Sequence, residues 1–157
     1  MIYLDNAATT PVAPQALQAA WPWLTSEFGN PSSTHELGHR SHLALEDARA
    51  RVATYFNARP SEITFTSGGT ESDNLAIIGL ALANPRGKHI ISARTEHEAV
   101  LKALEFLERV HGFEISWVPL DEYGQLLDFE SNLRADTTLV SLMVANNEVG
   151  TVHDIAQ

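Results

Sequence analysis

Between Ile63 and Ala145 the chain alternates short, β-rich apolar runs with stretches of helical spacing, and this alternation restricts the fold more than any other feature of the sequence. Ile63-Thr64-Phe65-Thr66 reads as a strand and Ser67-Gly68-Gly69 as a turn. Thr70 opens a helix that runs through Leu75, Ile77, Ile78 and Leu80 to Ala83 and stops at Asn84-Pro85-Arg86-Gly87. The cycle repeats with a strand from His89 to Ser92, a helix from about Glu96 to Val110 and a strand from Glu114 to Val118. A short helix near Phe129 to Arg134 and a strand from Thr138 to Ala145 follow. Strands joined through helices run parallel, so the expected fold class is α/β with a mostly parallel sheet.

Two helices are expected before this region. Leu17, Ala20, Trp21 and Leu24 recur at helical spacing between Val12 and Leu24, and Phe28-Gly29-Asn30-Pro31 stops the run. The Asn30 to Gly38 stretch reads as a loop. Beyond it Leu45, Ala48, Val52, Tyr55 and Phe56 share one face of a second helix, whose solvated side carries Glu46, Asp47, Arg49 and Arg51.

Charge and composition exclude several classes of function. With 20 acidic and 10 basic side chains the net charge is -10, which repels nucleic acid and anionic membrane surfaces. No run approaches the roughly 18 apolar residues of a membrane span, and the opening residues lack a signal-peptide pattern, so a cytoplasmic protein is expected. The absence of cysteine removes disulfides, thiolate metal sites and a cysteine nucleophile from these 157 residues, and no metal site is expected.

In an α/β sheet, ligands gather beyond the carboxyl ends of the strands, and three such ends carry polar residues. At Thr66-Ser67-Gly68-Gly69-Thr70-Glu71-Ser72 a strand breaks into two glycines and then begins a helix. The first amides of a helix are unpaired donors at the positive end of its dipole, a term of about 0.3–1 kcal/mol for an anion there. Hydroxyls of Ser67, Thr70 and Ser72 are further candidate donors. The alternative is a tight turn in which Thr70 caps the helix and Asp73 completes a capping pair. No Gly-Lys-Ser/Thr follows, so a nucleotide is not indicated. After the second strand, Thr95-Glu96-His97 brings an imidazole to a helix start, where the dipole favours the neutral ring; the alternative is a helix residue with no chemical duty. After the last strand comes Asn146-Asn147-Glu148-Val149-Gly150-Thr151, whose amides can donate to a ligand oxygen or simply close a turn.

Together with Tyr3-Leu4-Asp5-Asn6-Ala7-Ala8-Thr9-Thr10-Pro11 and Phe28-Gly29-Asn30-Pro31-Ser32-Ser33, these motifs resemble the cysteine desulfurases, a family within the class V aminotransferases. The resemblance implies the three-layer α/β/α large domain of the aspartate aminotransferase-like transferases, with residues 15–157 as its first half and residues 1–14 joining a small domain. It implies pyridoxal 5′-phosphate as cofactor. Gly69 and Thr70 would bind the phosphate, His97 would stack on the pyridine and move a proton at the substrate thiol, and Asn147 would donate to the phenolic oxygen. The family converts L-cysteine to L-alanine and keeps the sulfur as an enzyme-bound persulfide for an iron-sulfur scaffold or other sulfur-acceptor protein; its members are homodimers.

Other class V enzymes, such as a selenocysteine lyase or an aminotransferase, would share the cradle and the ring, and a non-catalytic cofactor-binding fragment is a further alternative. The family's Schiff-base lysine, pyridinium-pairing aspartate, persulfide cysteine and carboxylate-holding arginine have no counterpart here. The chain is therefore expected to be the N-terminal portion of a longer enzyme, inactive alone, in which Ile63 to Thr66 lacks a neighbouring strand.

Overall fold

The computed structural model describes residues 1–83 and 85–154, which divide into two compact units, the first ending at Phe65 and the second beginning at Thr66.

In the first unit, α1 (Pro14–Thr25) starts with proline at its first helical position, where the missing N–H costs nothing. Its apolar residues Leu17, Trp21 and Leu24 all remain exposed within the unit. Helix α2 (Glu36–Tyr55) is capped by His35, whose Nδ1 accepts the Gly38 amide at 3.2 Å. Gly38 is required there, because a Cβ would lie 2.5 Å from the Ser33 carbonyl oxygen. The expected apolar face of α2 is not the buried one: Leu45, Ala48, Tyr55 and Phe56 are exposed and Val52 half-buried, while Ala53, off that face, is buried; the Tyr55 and Phe56 rings meet edge to face at 5.1 Å. Nor is Arg49 a solvated bystander. Its guanidinium donates to the Ile63 carbonyl at 2.5 Å and lies 5.0 Å from the Phe65 ring centroid.

Residues 63–66 do not form the expected strand. Ile63 has extended dihedrals, but no ladder partner exists for this segment among the described residues, and Arg49 takes the place of one for the Ile63 carbonyl. Extended propensity alone does not make a strand, since the ladder bonds come from a neighbour.

The second unit is a parallel sheet carrying two helices. Strands β1 (His89–Ser92), β2 (Glu114–Trp117) and β3 (Thr137–Ser141) lie in the order β2-β1-β3, both pairs parallel. Ile90 pairs with Ile115 on one side and Leu139 on the other, making an apolar stripe across one face. Helices α3 (Gly69–Ala83) and α4 (Glu98–His111) cover that stripe with Ile77, Ala81, Val100, Ala103, Leu104 and Leu107. Each fully buried leucine there contributes about 1.5–3 kcal/mol of hydrophobic stabilisation. Helix α4 ends at Gly112, whose φ of 68° is the left-handed conformation of a helix stop, with its amide bonded to Glu108 O at 3.2 Å. Helix α3 is apolar on more than its packed side, leaving Leu75, Leu80 and Leu82 exposed.

On β1 the fully buried ring of His89 spans the sheet: Nδ1 is 2.8 Å from Thr137 Oγ1 on β3 and Nε2 2.8 Å from Ser116 Oγ on β2. Both ring nitrogens are thereby satisfied, which a buried imidazole requires. Two expectations in this unit are corrected. The short helix near Phe129 to Arg134 is a single 3-10 turn, Glu130–Asn132. The last strand ends at Ser141 rather than Ala145, because the chain folds back and Ala145 pairs antiparallel with Val152.

Candidate functional site

The glycine corner sits at the start of α3, which begins at Gly69. A Cβ built on Gly68 or Gly69 would meet nothing within 4 Å, so the corner is open. The alternative reading, a capping pair of Thr70 and Asp73, is not what secures it. Glu71 folds back, and its Oε2 accepts from both the amide and the hydroxyl of Ser67 at 2.6 Å. Those bonds, the hydroxyl first, hold the Glu71 carboxyl below the usual carboxylate range. Ser72 Oγ lies 2.6 Å from Thr66 Oγ1 and donates to Gly68 O at 3.1 Å. The hydroxyls of Ser67 and Ser72 are therefore spent on shaping the turn. Thr70 is exposed at its tip, with the first-turn amides that a helix leaves unpaired.

His97 is the N-cap of α4, which starts at Glu98 and not at Glu96. Its Nδ1 accepts the Ala99 amide at 3.1 Å. In the neutral ring this assigns the proton to Nε2, leaving that atom to face outward from an exposed side chain. Asn147 lies in the turn after β3, closed by the Asn146 amide on Thr151 O at 2.8 Å and the Gly150 amide on Asn146 O at 3.0 Å, with Gly150 at φ 76°. The Asn147 amide nitrogen donates to Glu148 Oε1 at 3.1 Å and keeps a second N–H.

Two residues that the sequence reading did not single out join these loops. Glu96 Oε1 accepts the Met143 amide at 2.5 Å, and Asn146 Nδ2 donates to Thr95 O at 3.2 Å. His97 and Asn147 follow them directly, so the structure brings both onto adjoining loops at the carboxyl edge of the sheet. Asp73, in the first turns of α3, is close enough to Glu96 to act on its charge, which ties the glycine corner to the same neighbourhood. The lysines are elsewhere. Lys88 precedes β1, at the opposite edge, with Nζ on His111 O at 2.6 Å. Lys102 pairs with Glu105 on exposed α4 surface at 2.9 Å.

Burial lifts the Glu96 carboxyl above the ordinary carboxylate range, with the Asp73 charge adding to the rise and the Met143 amide opposing it. A carboxyl whose folded value is raised contributes stability below its unfolded value, and that contribution is lost as pH rises through the folded value. Glu96→Gln removes the ionisation, so in urea unfolding its stability relative to wild type should improve as pH rises from about 4 to about 7. A difference that stays flat over that range would refute the assignment.

The sequence pattern described as Aminotransferase class-V matches residues 2–157. The chain belongs to the class-V aminotransferase family. It is 48% identical over 159 residues to the cysteine desulfurase IscS of Dictyoglomus turgidum, covering 99% of this chain and 40% of that protein. Among solved structures, a NifS-like protein superposes with a TM-score of 0.88 at 39% identity, covering 98% of this chain and 42% of that one. SspA in complex with cysteine gives 0.86 at 38% identity, with coverage of 98% and 45%. The family membership and these neighbours bear out the α/β fold expected from the sequence. The chain spans only about two-fifths of the length of these relatives, 40% to 45%.

Proposed function

We propose that the chain is the N-terminal portion of a pyridoxal-phosphate-dependent cysteine desulfurase, which takes L-cysteine to L-alanine and hands the sulfur to an acceptor protein as a persulfide. In this reading residues 1–14 belong to a small domain and residues 15–157 open the large one, and the whole enzyme is a homodimer. The observation that carries it is the meeting of the His97 and Asn147 loops at one sheet edge.

The residues present fit the cofactor. The open Gly68-Gly69 corner gives a phosphate room to reach the first-turn amides of α3, and Thr70 adds a hydroxyl. Asn147 has a spare N–H for the phenolic oxygen, and the His97 ring offers a face for stacking. When bound, pyridoxal phosphate supplies an electron sink. His97 Nε2 holds the proton that can be exchanged with the substrate thiol.

Neither lysine is placed to carry the cofactor, since one is tied down beyond the amino end of β1 and the other faces Glu105. Borohydride reduction of the full-length protein after pyridoxal phosphate titration, followed by peptide mapping, should label a lysine other than Lys88 and Lys102. Label on either would overturn the reading.

A further inference from the structure

Two buried polar side chains cross between the β1–α4 loop and the loop after β3, in opposite directions. Glu96, 9% exposed, reaches out of the first loop to accept the Met143 amide at 2.5 Å. Asn146, 8% exposed, reaches back to donate to the Thr95 carbonyl at 3.2 Å, and its Oδ1 accepts the amides of Glu148 at 2.8 Å and Val149 at 2.9 Å. Each crossing residue immediately precedes an exposed site residue, Glu96 before His97 and Asn146 before Asn147. Burying a carboxylate and a carboxamide is costly, and an apolar filler would hold two loops together without that cost. What polar groups add is direction: each bond fixes a backbone atom of the opposite loop at one distance and angle.

The geometry points to Glu96 and Asn146 as positioning residues, a two-way clasp that sets the spacing and relative orientation of the His97 ring and the Asn147 amide. The inference rests on the reading of those two groups as cofactor ligands. Neither clasp residue needs to touch the cofactor. Release of the Met143 amide would let the β3 exit drift, and release of the Thr95 carbonyl would let the α4 N-cap tilt; a misplacement of about 1 Å in such a site costs on the order of a hundredfold in rate.

The two halves differ in chemistry, and that difference gives the test. Glu96 acts as an acceptor, a role that glutamine Oε1 can fill. Asn146 acts as donor and acceptor together, and aspartate has no N–H for Thr95 O. In the full-length protein, the dissociation constant of pyridoxal phosphate, the absorption maximum of the bound cofactor and the exchange rate of the Met143 amide are measured for each variant. Glu96→Ala and Asn146→Ala should each weaken binding about tenfold or more and shift the maximum. Glu96→Gln should return within about threefold of wild type, while Asn146→Asp should be as poor as Asn146→Ala.

If Glu96→Ala speeds Met143 exchange yet leaves affinity and spectrum as in wild type, the clasp does not position the site. Should Glu96→Ala fail to fold, the conservative pair decides, and an equal loss in both or a loss in neither overturns the inference. His97→Ala and Asn147→Ala serve as references. If they alter the spectrum while the clasp variants do not, the clasp alone is wrong; if they leave it unaltered, the ligand reading fails and the clasp with it.

Discussion

Replacing His97 by alanine in the full-length enzyme should lower turnover about a hundredfold to ten-thousandfold, the range typical of a lost general acid or base. The same change removes the N-cap acceptor for the Ala99 amide, at a cost of about 0.5–2 kcal/mol in stability. The two effects separate in His97→Asn, because asparagine is a good N-cap but neither stacks as an aromatic ring nor serves as a general acid or base. Thermal stability should recover in that variant and turnover should not. If turnover recovered along with stability, His97 would be a capping residue and nothing more.

The largest stability effect should come from Leu104→Ala. This side chain is fully buried in α4, within a cluster that includes Ile77, Ile90 and Leu107, at the contact between both helices and the sheet. A loss of about 2–5 kcal/mol is expected, combining lost transfer energy with the cavity left behind. Leu75→Ala, on the exposed side of α3 at 51% exposure, should stay within about 0.5 kcal/mol of wild type. Denaturant unfolding distinguishes the two, and comparable losses would show that the packed core lies elsewhere.

Much of the second unit was legible because its signals are local. Strand β1 occupies the expected residues His89–Ser92, and the glycine corner opens α3 as its turn chemistry indicates. Misreadings arose where the decision belongs to a distant partner. Ile63-Thr64-Phe65-Thr66 has strand composition but no neighbour, so it stays outside any ladder. The α4 start was expected at about Glu96 and lies two residues later, because the His97 imidazole accepts the Ala99 amide and caps the helix there.

Within the site, the motif residues were readable as polar groups after strands. Glu96 and Asn146 stood in the same motifs, but their bridging role was not readable, since their partners lie 47 and 51 residues away in sequence. A weak signal existed: an acidic and an amide residue each stand directly before a site residue, where side chains that leave the strand edge can still turn inward.

The imidazole of His89 has an effect well beyond its own packing. By gripping a hydroxyl on each neighbour, it locks how far β2 and β3 are advanced along the sheet relative to β1. A slip of one residue in either neighbour would move Ser116 or Thr137 to the opposite face and leave a ring nitrogen without a partner. Along β2 the register runs unbroken from this end to Ser92 and Trp117, whereas β3 shifts by one residue directly after Thr137, so the ring pins β3 ahead of that irregularity. The ring thus works as a gauge block at the amino end of the strands, opposite the edge that carries His97 and Asn147.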